Sequence, residues 1–205
     1  GNWCSAVTET FAEIDGLPDF SRINPDGIEK AIHELLATNR EEVAGIVARA
    51  SANPAWDSLV APLEEIDDRL TKAWVPISHL NAVVNTEALR TAHDGCLVAL
   101  TQYSTELGQS QPLYEAYKNL RSSKSYDDEL SSAQKKVVDN ALIDFELSGV
   151  GLDEQTKKRF ADISERLAVL ASQFQNNVLD ASDAWTRHFD MSDSLAGLPD
   201  VNLAI

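Results

Sequence analysis

The sequence predicts an all-α protein, an irregular antiparallel bundle of about six helices that closes with one long helix. Two observations carry that prediction. Apolar residues recur three and four positions apart almost throughout, and only 9 Gly and 7 Pro interrupt 205 residues in which no alternating strand pattern is visible. The length suits one sizeable domain or two small ones, and 43% hydrophobic content is ordinary for a chain that buries a core.

Residues 1–20 read as an irregular lead-in with Phe20 as an anchor, and 21–205 as the helical domain. The first helix is announced by Asn24 as N-cap, Pro25 at the first helical position and Asp26 near the positive end of the dipole. Its stripe is Ile28, Ile32, Leu35, Leu36, Val43, Ile46 and Val47, and "SANPAW" ends it near residue 50. The second has the most regular seam: Leu59, Leu63, Ile66, Leu70, Ala73, Ile77, Leu80 and Val84 alternate steps of four and three. Pro76 lies inside that seam and should kink or break the helix near Trp74. A third helix is expected from about Thr86 to Leu107, with Leu89, Ala92, Cys96, Leu100, Tyr103 and Leu107 inward and Gly108 closing it.

A short helix around Leu113, Tyr114, Tyr117 and Leu120 follows, then a polar loop "SSKSYDDELSS". The next helix carries Val137, Val138, Ala141, Leu142 and Phe145, and the Gly149 and Gly151 break lets the chain reverse after it. The last stretch, roughly 153–189, aligns Phe160, Ile163, Leu167, Leu170, Phe174, Val178, Ala181 and Trp185. At 1.5 Å per residue it would span about 55 Å, wider than a domain of this size. Part of it is expected to overhang or to rest on protein outside these residues, and "LPDVNLAI" reads as a truncation. No repeat of 30 to 50 residues supports a helical array.

Charge narrows the function classes. With 17 basic against 33 acidic residues, a formal net of −16, binding to nucleic acid phosphates or anionic lipid is unfavourable. No apolar run reaches a membrane span, and no basic leader, apolar signal segment or Asn-x-Ser/Thr site is seen, so a cytoplasmic location is expected. Cys4 and Cys96 are too few for a disulfide framework or a cysteine-based zinc site and read as reduced thiols.

A search for catalytic groups returns nothing. His33-Glu34 begins a His-Glu-x-x-His zinc motif, but Ala37 stands where the second imidazole is needed. A carboxylate-bridged dimetal bundle needs a carboxylate three residues before each histidine. The residues three before His33, His79, His93 and His188 are Lys30, Pro76, Arg90 and Trp185. Glu64-Glu65 and Asp67-Asp68 fall largely off the apolar seam and read as a solvated face rather than an acid–base pair. Neither a phosphate loop nor a nucleophile motif appears, so no catalytic and no metal residue is assigned. Polar residues beside the last apolar stripe are a better clue. Gln173, Asn177 and Asp180 line an adjacent strip, suited to facing a cavity or a neighbouring domain, or else one amide fixes helix register.

Several stretches carry more than helical pattern: "FSRINPDGIEKAI", "PLEEIDDRLTKAWVPISHLNAVVNTEALRTAH", "YSTELGQSQPLYEAYKNL", "AQKKVVDNALIDFELSGVGL" and "RFADISERLAVLASQFQNNVLDASDAWT". Over about residues 17–200, nearly without gaps, the chain resembles the N-terminal region of zinc metallopeptidases of the thimet oligopeptidase (M3) family. The resemblance implies a longer, almost wholly helical enzyme. Two lobes flank a deep channel that admits short peptides and excludes folded proteins. Zinc is held by a His-Glu-x-x-His motif and a later glutamate, and the motif glutamate activates water. None of those residues matches a position here, so the implied zinc lies in a C-terminal catalytic domain outside this chain. That domain is the implied partner, and these residues should be inactive alone. Gln173, Asn177 and Asp180 become candidate channel-facing residues, and self-association through surface left bare is expected. The competing readings are a free-standing helical interaction module and, against the ligand spacing, an independent metalloenzyme. An open reading frame running on into His-Glu-x-x-His separates the first of these from the peptidase.

Overall fold

The computed structural model describes residues 18–50, 54–188 and 196–199, and every regular element among them is helical. After a 3-10 turn at Phe20–Arg22, Asn24 caps the first helix: its Oδ1 accepts from the Asp26 N–H at 3.2 Å. Seven α-helices follow in order. They are α1 (Pro25–Ala50), α2 (Ala61–Val83), α3 (Glu87–Gly108), α4 (Gln111–Arg121), α5 (Lys124–Asp128), α6 (Ser132–Leu147) and α7 (Glu154–Asp183). One π-helical turn, Trp56–Val60, leads into α2. The lead-in expected over residues 1–20 falls outside the described residues up to position 17, as does Cys4.

The chain divides into two compact units, Gly1–Val169 and Leu170–Ile205. In the first unit α1 runs alongside two apolar clusters. Its N-terminal half contributes Ile28, Ile32 and Leu36 to a cluster with Ala73 and Ile77 of α2 and Leu89 and Cys96 of α3. Its C-terminal half contributes Val43 and Ile46 to a second cluster with Leu59, Val60, Leu113, Leu120 and Val138. The early part of α1 thus meets the late part of α2, the antiparallel arrangement the seam predicts. Every stripe position named for the first and third helices is buried or half-buried, and of the α2 seam only Val84 is exposed.

Four expectations need correction. Of the kink or break expected near Trp74 to Pro76, the break does not occur, because α2 continues through Pro76 to Val83. Ala73 and Ile77 on either side are both buried in the first cluster, and that packing holds the helix across the missing backbone donor. The polar loop after α4 contains the one-turn helix α5, which brings the described residues to seven helices where about six were expected. Ser123 caps α5 by accepting from the Tyr126 N–H at 3.2 Å, and buried Tyr126 donates its hydroxyl to Asp139 on α6 at 3.1 Å. The last helix ends at Asp183 rather than near 189. Its 30 residues give it a length of about 45 Å. Finally, the turn before α7 needs one glycine and not two, since only Gly149 takes a positive φ, at 84°.

Candidate functional site

The four histidines are scattered. His33 is exposed, with its Nε2 at 3.9 Å from Glu29 on the same helix. His79 is exposed beside Phe20, ring centroids 5.7 Å apart; Phe20 is itself exposed and joins neither apolar cluster. His93 is buried and stacked on Trp74 at 4.8 Å, with its Nδ1 at 3.4 Å from Asp94. His188 lies beyond the end of α7. Among the described residues no three His, Cys, Asp or Glu side chains come together in a way that could hold a metal ion. This donor set does not fit the zinc that the family resemblance implies.

The acid pairs stay on the surface. Glu64, Glu65, Asp67 and Asp68 are all exposed, and Asp68 is paired with Lys72 at 2.6 Å. Cys96 is free and buried; burial, and secondarily the Glu29 carboxylate, pushes its thiol up to about 12. Such a thiol is neutral at physiological pH and is no nucleophile.

What remains is α7. It starts at a well-made cap: Asp153 accepts from the Thr156 N–H at 3.0 Å and from the Thr156 hydroxyl at 2.7 Å. Those bonds, the hydroxyl first, hold its carboxyl below the usual aspartate value. Within the first unit, Glu165 accepts from Gln102 of α3 at 3.0 Å. Along the helix the expected apolar stripe is largely in solvent: Ile163, Leu167, Leu170, Phe174 and Val178 are all exposed, Phe174 to 69%. Gln173, Asn177 and Asp180 are exposed too and lie on one strip of the helix at i, i+4 and i+7. Ser172 is the buried residue of this helix. A 30-residue helix with both an apolar stripe and a polar strip in water has surface to spare for something else.

Pattern reading missed the most deeply buried polar group. Asn39, fully buried on α1, accepts from Arg69 Nη2 of α2 at 2.8 Å, and the same nitrogen donates to Glu42 at 2.6 Å. Its position, seven after Ile32 on the apolar stripe, was the available signal.

The neurolysin/thimet oligopeptidase N-terminal domain family matches residues 32–157. The chain is also 46% identical over 198 residues to oligopeptidase A of Salmonella typhimurium, a match covering 97% of this chain and 29% of that protein. Oligopeptidase A of Escherichia coli is 45% identical over 92% of this chain and 27% of its own length. For the Haemophilus influenzae protein of the same name the figures are 42%, 95% and 28%. The chain therefore spans less than a third of the length of these relatives. With well over half of its residues inside the matching domain, it belongs to the neurolysin/thimet oligopeptidase family, in the region of the N-terminal domain.

Proposed function

We propose that this chain is the helical N-terminal part of a cytoplasmic, zinc-dependent oligopeptidase that hydrolyses short peptides. In that reading the zinc and the catalytic residues belong to a C-terminal domain of the longer polypeptide, and these residues alone do not cleave peptides. Their contribution is shape. The exposed apolar stripe of α7 packs on the rest of the polypeptide. Gln173, Asn177 and Asp180 face the channel, so α7 forms part of a wall that admits flexible peptides and rejects folded proteins. Left uncovered, the same stripe drives self-association. The observation that supports this reading best is Phe174, a large apolar side chain 69% exposed on a 30-residue helix.

The test is made on the full-length polypeptide with quenched peptides of graded length. Gln173→Arg with Asn177→Arg should lower kcat/KM for the longest accepted peptides by roughly tenfold, about 1.4 kcal/mol, while sparing the shortest. A length profile that does not move would remove the wall. Incubating these 205 residues with zinc and the same peptides should give no turnover; chelator-sensitive cleavage would overturn the assignment of catalysis to the missing domain.

A further inference from the structure

Between α2, α3, α4 and α6 the first unit holds an open cavity of about 360 Å³. Its walls are apolar and aromatic, chiefly Leu63, Ile66, Leu113, Tyr117 and Phe145. The charges that line it are all of one sign: Glu64 and Asp67 from α2 and Asp144 from α6. No Lys, Arg or His lines it, and among the described residues none of these three carboxylates is in an ion pair. Burial pushes the hydroxyls of Tyr103 and Tyr117 upward, with Glu64 adding to the effect at Tyr117. Both tyrosines on the wall are therefore neutral at physiological pH; the charges on the lining itself are the exposed carboxylates, and Arg40 and Arg69 also act on Tyr103.

We propose that this cavity is a binding site for a small organic cation, an apolar body carrying an ammonium group. The size falls in the range of small-molecule sites, and a mostly apolar wall with a few convergent polar groups is what such sites have. Three lining carboxylates, none of them in an ion pair among the described residues, favour a cationic ligand, and the net charge of −16 raises the local concentration of cations. The Tyr117 and Phe145 rings, 5.5 Å apart and inclined by 59°, add faces that attract a cation. An anion of the same shape meets the carboxylates and loses its hydration with nothing in exchange. The inference does not rest on the peptidase reading.

The probe is phenethylamine, titrated into the 205-residue chain and followed by amide chemical shifts, beside phenethyl alcohol and 3-phenylpropionate. The amine is expected to shift residues around Leu107, Leu113 and Phe145 and to bind more tightly than the alcohol, with the carboxylate weakest. Asp67→Asn with Asp144→Asn should weaken the amine by about tenfold and leave the alcohol unchanged, a split that a fold defect would not produce. Raising the salt should weaken the amine alone. Ala141→Phe, which fills the cavity from a half-buried position on α6, should abolish binding of all three. Equal affinities for amine and carboxylate, amine shifts mapping elsewhere, or no shifts at millimolar amine would each overturn the proposal.

Discussion

Asn39 is the most deeply buried polar residue of the described core. It is fully buried between the two apolar clusters, and Arg69 reaches across from α2 to bond it and Glu42 through a single nitrogen. The bonding is incomplete: Arg69 Nε is buried without a hydrogen-bond partner among the described residues, and Asn39 and the Tyr103 hydroxyl interact without a bond of good geometry. A buried polar atom that loses its last partner costs about 1 to 3 kcal/mol, whereas deleting one that had none costs little. Arg69→Met should therefore lower stability by about 2 kcal/mol, since it orphans Asn39 Oδ1, while Tyr103→Phe, which removes only the poorly aligned contact with Asn39, should stay within about 1 kcal/mol of the parent. Urea denaturation of the two variants checks this, and equal losses would contradict it. The intruding asparagine was legible in the sequence, because it interrupts an apolar stripe at helical spacing. Its partner was not. Arg69 lies 30 residues away, and periodicity says which face of α2 it occupies but not which helix that face meets.

At the scale of elements, the reversal between α6 and α7 shows how little of a break the chemistry needs. The Val150 N–H donates to the Phe145 carbonyl and the Gly149 N–H to the Glu146 carbonyl, both at 3.1 Å, which is the Schellman closure of a helix C-terminus. Gly149 sits in the left-handed region, and a Cβ built on it would meet Leu152 Cδ1 at 2.5 Å. Gly151 has no atom within 4 Å of that position and no positive φ. Gly149→Ala should then destabilise the fold by about 1 to 3 kcal/mol. Gly151→Ala should lie within about 0.5 kcal/mol of the parent or above it. Thermal melts of the pair decide: a costly Gly151→Ala would mean that the turn is built otherwise. The sequence pattern located the turn but could not rank its glycines, since only the backbone angle distinguishes them. The same limit hid α5, whose single turn is too short for an apolar stripe and is held by the Ser123 cap and the Tyr126–Asp139 bond. At Pro76 the helix runs on without a break, because local propensity gives way to packing on both sides of the ring.

Across the molecule, the described core of the first unit is two clusters strung along one 26-residue helix, and their independence is the open physical question. Four features tie them together. α1 belongs to both, α2 gives Ile66 to one and Ala73 and Ile77 to the other, Leu107 of α3 packs against both, and the Asn39–Arg69 bond lies between the α1 residues of one and those of the other. A helix cannot melt over half its length without exposing the apolar face of that half. The interrupted hydrogen bonds add to that cost, so the clusters should unfold as one. The fold offers a reporter for each, since Trp56 packs on the second cluster and Trp74 on the first. With Trp3 and Trp185 replaced by Phe, two variants that retain only Trp56 or only Trp74 should show coincident urea transitions after correction for their own stability. Leu36→Ala in one cluster and Leu120→Ala in the other should each lower both midpoints, at about 2 to 5 kcal/mol apiece, because both side chains are almost wholly buried. If Trp56 reports an earlier transition that Leu36→Ala leaves in place, α1 is a shared wall between two separate cores rather than the strut that couples them.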